Sequence, residues 1–402
     1  MRAALRLVPL LLLCPMLLCS CLLPPVGEGG STPPKKETEE EPPMEYELLD
    51  AEIKHAYGGS RATVVIVHDD GTRSTVDYMV ERFTEHGLVG TLGLITKNFA
   101  AKDENGEWVL KDSEVAYWRG VLDSGTFDVA SHSHTHTFWG VSDEAESGWY
   151  LDSGNALHEY SYEAGRITSE VADSRQILKM AFPDQRVLAF IKPGFGRHSD
   201  ENGTRGVQIS DRAYEIIKEN YIGMRNTGGD VDTMPIANIY SAKSHTVKNT
   251  DTAEDWKQLV NEAKSSGGTL IFLFHRIEED PTSSLRADIN ETDEFFAWLG
   301  KEVADGRVSN MTLEDAMLYS AELETSSLEV RKYSDRITVK LTDTLDDSIY
   351  DAPLTVRVPV SNDCSLVTSD RGEQLSVLSD SKGKHVLIDI IPDSDTVTLT
   401  EV

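Results

Sequence analysis

The sequence predicts an α/β body, either a (β/α) barrel or a doubly wound sheet, followed by a small all-β domain. Two observations carry this. Over about 270 residues from Arg61 onward, short apolar β-branched runs alternate with helical stretches, the pattern of parallel α/β folds. After Ser326 the helical period disappears, and alternating apolar–polar runs separated by turn residues take over. That pattern fits a sandwich of about 75 residues. The chain has 402 residues, enough for two to three domains at roughly 100–200 residues each. Hydrophobic residues make up 39% and charged residues 26%, which argues against whole-chain disorder, and the single long apolar run excludes a polytopic membrane protein. Lys and Arg number 38 against 68 Asp and Glu, a net charge of −30. That balance argues against nucleic acid as a partner, because phosphate backbones are bound by clustered Lys and Arg.

The first segment reads as an address. Arg2 and Arg6 precede an apolar run from Leu7 to Leu18, the layout of a secretory signal over residues 1–20. Leu18-Cys19-Ser20-Cys21 resembles a bacterial lipoprotein cleavage box, so Cys21 is expected to become the lipid-modified N-terminus of an exported, envelope-anchored lipoprotein. Of the four cysteines, Cys14 and Cys19 would leave with the signal and Cys21 would be acylated, leaving Cys364 with no partner for a disulfide. Residues 21–50, rich in proline, glycine and glutamate, read as an extended acidic tether.

A catalytic body is expected over 51–324. Arg61-Ala-Thr-Val-Val-Ile-Val67 is continuously apolar and bounded by turn residues, so it reads as a strand buried on both faces. Residues 76–86 then read as a helix, 87–95 as a strand, 112–124 as a helix and 127–130 as a short strand. Residues 140–165 are the least regular and read as a long loop or insertion. A helix over 166–181, a strand over 186–191 and a helix over 211–220 follow. Next come a helix over 255–265, a strand over 269–275, a helix over 291–304 and a short helix over 311–319. From 325 to 402 the strands are expected at 336–341, 354–360, 374–378, 385–391 and 396–400.

Four fragments end predicted strands, the edge where parallel α/β folds collect their chemistry. His68-Asp69-Asp70-Gly71 offers two carboxylates that can divide into a ligand and a base. Ser131-His132-Ser-His134-Thr-His136 places three imidazoles in five residues. A helical turn would put His132 and His136 on one face, and an extended chain would pair His132 with His134. Either arrangement suits zinc. Lys192-Pro-Gly-Phe-Gly196 forces an irregular turn whose exposed N–H groups suit an oxyanion. Leu273-Phe-His275 ends the last strand with a histidine placed for acid catalysis. Two histidines and one aspartate would complete the three protein ligands of a catalytic zinc site.

In this order the four fragments resemble the polysaccharide deacetylase family, which shares the NodB homology domain (carbohydrate esterase family 4). The resemblance spans roughly residues 60–320 and implies a distorted (β/α)7-type barrel. It implies that Asp70, His132 and His136 hold a divalent metal, usually Zn2+. Asp69 would be the base acting on the metal-activated water, and His275 the acid that protonates the leaving group. The backbone N–H of Phe195 would help hold the oxyanion, and Trp139 would line the sugar cleft. The implied reaction removes N-acetyl groups, or O-acetyl groups as a second choice, from an extracellular or cell-envelope polysaccharide.

Three departures stand out. His68 replaces an aromatic and adds a titratable group to the site. Lys192 replaces the arginine that braces the base, and lysine lacks the planar fork. The acidic residue that orients the acid histidine has no clear match. Asp251 is the nearest candidate, together with Asp255, which also reads as a helix start. Two rival readings are a glycan-binding lipoprotein on a decayed deacetylase scaffold, and an amidohydrolase-type barrel with His132 and His134 as its metal pair.

Overall fold

The computed structural model describes residues 45–136, 147–151, 157–161, 168–193, 198–199, 205–206, 211–233 and 235–402. The signal segment, Cys21, the tether as far as Met44, Trp139 and Phe195 lie outside the described residues.

The apolar run Thr63–His68 forms strand β1, with all six residues buried. Val64 and Ile66 enter one core, and Val65 and Val67 enter another. Burial on both faces is what a continuous rather than alternating apolar pattern requires. Five further strands build the sheet: β2 (Gly90–Leu94), β3 (Phe127–Ser131), β4 (Ala189–Ile191), β5 (Gly223–Arg225) and β6 (Thr269–Phe274). Their spatial order is β5-β4-β3-β2-β1-β6, and every neighbouring pair is parallel. Short strands extend the sheet. Ser309–Met311 pairs with β1, while Val231–Asp232 and His245–Thr246 both pair with β6. The result is a curled α/β sheet of nine strands. Because the six main strands are parallel, their carboxyl ends share one edge.

Helices cover both faces. On one face lie α1 (Arg73–His86), α2 (Asp112–Leu122), α3 (Ser174–Ala181), α4 (Asp211–Asn220), α5 (Ala253–Ser266) and α6 (Ile289–Ala304). Their apolar side chains, among them Phe83, Trp118, Ile177, Ile217, Trp256 and Phe295, share one core with Val64 and Ile66. On the other face α7 (Leu313–Thr325) sets Leu313, Met317 and Leu318 against Val65, Val67, Ile191 and Ile271. Asp255 closes a capping box with Thr252 at the start of α5, which makes it a helix cap. Within the segment read as an irregular insertion, Ser147–Leu151 and Leu157–Ser161 form an antiparallel pair.

Beyond α7 two antiparallel sheets enclose a core that includes Val339, Leu341, Val356, Val358, Val386 and Leu399. One finding departs from the sequence reading. Glu47–Leu48 pairs with Ser327–Lys332, and Glu52–Ile53 pairs with Leu354–Pro359. Residues expected to end the tether and open the catalytic body therefore supply a strand to each C-terminal sheet. Dipeptide strands leave no period to read, so partner strands nearly 300 residues away decide their structure. Residues Glu45–Val402 form one compact unit.

Candidate metal centre

The carboxyl edge of the sheet gathers the chemistry. β1 runs directly into Asp69 and Asp70, and β3 runs into His132. The chain then turns through Ser133 and His136, which share left-handed backbone (φ 63° for each) with Asp70 (φ 70°). Non-glycine residues rarely adopt this conformation, and such strain concentrates at functional sites. The turn replaces both geometries read from the sequence: residues 132–136 are neither helical nor extended. It sets the imidazoles of His132 and His136 with centroids 4.7 Å apart. Glu170, itself buried, holds the turn by accepting from the Thr135 backbone N–H at 2.6 Å and the Thr135 hydroxyl at 2.5 Å. His134 points elsewhere, with Nδ1 2.9 Å from the Thr96 hydroxyl and its ring against Trp108.

Asp70 Oδ1 lies 3.5 Å from His132 Nε2 and 3.3 Å from His136 Nε2. One ligand atom from each of the three residues lies within 4.8 Å of the others. His132 Nδ1 donates to the Ile191 carbonyl at 2.9 Å, which fixes the ring with Nε2 turned toward Asp70. His132 Nε2 and Asp70 Oδ1 are buried with no hydrogen-bond partner. Buried acceptors that converge without a donor between them fit a cation, and the two-imidazole, one-carboxylate donor set fits zinc.

Asp69 occupies the adjacent position and is almost fully buried. Its Oδ2 accepts a 2.6 Å hydrogen bond from Arg225 Nη2, at the end of β5. Its Oδ1 is buried and unpartnered. Burial pushes the carboxyl up, but Arg225, then His132 and His275, outweigh it and hold the group below its ordinary range. Gly93 on β2 leaves this room: a Cβ there would meet Asp69 Oδ1 at 3.3 Å and Ile191 Cδ1 at 3.0 Å.

The bracing arginine is therefore present, and it comes from the strand beside the expected one. Lys192 makes no hydrogen bond to Asp69; its Nζ is buried and unpartnered. Burial, then the Arg225 charge, push its ammonium down to about 8. His68 also departs from the reading. It is fully buried, its Nε2 accepts from the Thr72 backbone N–H before α1, and burial pushes it down to about 4. It is neutral at physiological pH and adds no titration there.

His275 follows β6 directly and lines the same cavity of about 210 Å³ as Asp69, Asp70, His132, His136 and Lys192. Burial lowers its pKa, with Asp69 and Asp70 opposing. Its Nδ1 has no hydrogen-bond partner. Asp251 does not orient it: Asp251 Oδ2 pairs with His245 Nε2 at 3.2 Å. A larger cavity of about 390 Å³, lined by Tyr57, Arg186, Met311 and Tyr319, holds none of the clustered imidazoles.

Residues 57–207 match the family described as polysaccharide deacetylase. Over that stretch the chain is similar to polysaccharide deacetylases. The matched stretch contains Asp69, Asp70, His132, His136 and Lys192, and it ends before Arg225 and His275. A gellan lyase from Bacillus sp. is 28% identical over 319 residues, which are 70% of this chain and 11% of that protein. The chain thus matches only a small part of that relative's length. Among solved structures, the Xyl-CE4 domain of a multidomain xylanase from the hindgut metagenome of Trinervitermes trinervoides is 14% identical with a TM-score of 0.37, covering 63% of this chain and 89% of that one. A family 4 acetyl xylan esterase from Clostridium thermocellum, in complex with a cobalt ion, gives the same four values. Among the residues that touch the cluster, the one that sequence reasoning missed is Arg225. The available signal was an arginine ending a short apolar run, Tyr221-Ile-Gly-Met-Arg225, beside the other strand ends.

Proposed function

We propose that this protein is a metal-dependent deacetylase of a cell-envelope or extracellular polysaccharide, exported and anchored through an acylated Cys21. The observation that carries this reading is one cavity holding a two-histidine, one-aspartate cluster, a second ionised carboxylate and a histidine. Asp70, His132 and His136 would hold the metal, with zinc the best match to that donor set. When bound, the metal supplies Lewis acidity and promotes ionisation of water. Asp69 takes the proton from the attacking water at its free Oδ1, while Arg225 keeps it ionised and fixes its orientation. The water oxygen bonds to the acetyl carbon and the carbon–nitrogen bond breaks; His275 delivers a proton to the leaving nitrogen, or to oxygen in an ester. The products are acetate and the free amine or alcohol. Phe195 would add a backbone N–H to the developing oxyanion, and Trp139 would stack on a sugar ring.

The test is acetyl release from N-acetylated chitooligosaccharides and O-acetylated xylooligosaccharides by purified, zinc-loaded protein. Release from at least one, abolished by chelation and restored by zinc, is expected. No release from either, or release unaffected by chelation, contradicts the proposal.

A further inference from the structure

Two cavities meet at Asp70. One is the cavity of the histidine cluster, about 210 Å³, which Lys192 lines. The other, about 330 Å³, is lined by Arg73, Asn98, Lys111, Glu114 and Trp118 as well as Asp70. The cations in and beside these cavities are not all matched by the protein's own carboxylates. Arg73 is matched by Glu114 at 2.6 Å, and Arg225 by Asp69 at 2.6 Å. Among the described residues, Lys111 and Lys192 have no carboxylate within salt-bridge range. Lys111 Nζ donates to the Lys97 carbonyl at 2.9 Å. Lys192 Nζ donates to nothing, although the residue is only 2% exposed. The charge it feels most is the like charge of Arg225.

A buried ammonium with no hydrogen-bond partner and a cation beside it is costly to keep. A chain with 68 acidic residues had carboxylates in plenty to place there. An anion brought by the ligand offsets that cost. A single transient oxyanion at the reacting carbon would call on one cation, beside the metal cluster. Unpaired lysines in both cavities instead suit negative groups spaced along an extended ligand.

We propose that the substrate is an acidic glycan, with uronic acid residues flanking the acetylated sugar, and that Lys192 and Lys111 read its carboxylates. This rests on the deacetylase reading above. Lys192 is then a specificity-determining residue rather than a brace for Asp69. A site built to pair a substrate charge discriminates strongly against an analogue that lacks it, because the site's own charge is left unpaired.

The test uses a matched pair: an acetylated oligosaccharide containing glucuronic acid, and the same molecule with its carboxyl groups reduced to alcohols. Zinc-loaded wild type is expected to favour the acidic form by about tenfold or more in kcat/KM, chiefly through KM. The preference should fall in Lys192→Met, collapse toward one when Lys111→Met is added, survive in Lys192→Arg, and weaken with added salt. Equal handling of both forms by wild type, or an unchanged preference in Lys192→Met, overturns the inference. If neither form is deacetylated, the deacetylase reading fails, and calorimetric binding of the same pair decides this one. Tighter binding of the acidic form, reduced in Lys192→Met, supports it, and equal affinities overturn it.

Discussion

Asp69→Asn is expected to lower acetyl release by about 10²–10⁴-fold, the usual contribution of a positioned general base. Asparagine keeps the volume of the side chain but cannot take a proton from water. The three residues proposed to hold the metal, Asp70, His132 and His136, are untouched by this change. Metal retention should therefore equal that of wild type, which separates loss of the base from loss of the site. Activity within about threefold of wild type, measured on the same acetylated oligosaccharides, would assign the base to another residue.

Arg225→Met is expected to act on stability and activity together. Arg225 is fully buried and donates the 2.6 Å bond to Asp69. Removing one member of a buried ion pair leaves an uncompensated charge and costs about 3–5 kcal/mol. Arg225 holds the Asp69 carboxyl down, so its stabilisation is present above the unfolded carboxylate pKa of about 3.9 and is lost as pH falls through the lower folded value. The Tm difference between wild type and variant should thus be largest near neutral pH and shrink in acid. In the variant, burial pushes Asp69 up unopposed by Arg225, and the acid limb of kcat/KM should move to higher pH. Arg225→Lys, which keeps the charge, should recover part of both. An unchanged acid limb would reduce Arg225 to a structural residue.

The parts of this fold that were legible in the sequence are those where local pattern and tertiary burial agree. Thr63–His68 is apolar throughout because both of its faces are buried, and the carboxyl ends of β1, β3, β4 and β6 follow from strands of that kind. Arg225 did not stand out because its strand has three residues and only a short apolar run marks it. Only the parallel pairing of β5 with β4 brings it beside the site. The turn at His132–His136 was misread because left-handed backbone at Ser133 and His136 is paid for by tertiary contacts such as Glu170–Thr135, which no local propensity announces. His68 was read as an active titratable group; its imidazole is instead buried and accepts from the chain entering α1.

The central claim is that Asp70, His132 and His136 form a metal site, and metal content tests it most directly. Protein loaded with zinc, dialysed against metal-free buffer and assayed by elemental analysis should retain one zinc per chain. His132→Ala, which removes the buried imidazole fixed by the Ile191 carbonyl, should retain none while keeping its far-ultraviolet circular dichroism. Wild type that emerges metal-free, or a His132→Ala variant that holds as much zinc as wild type, would contradict the account.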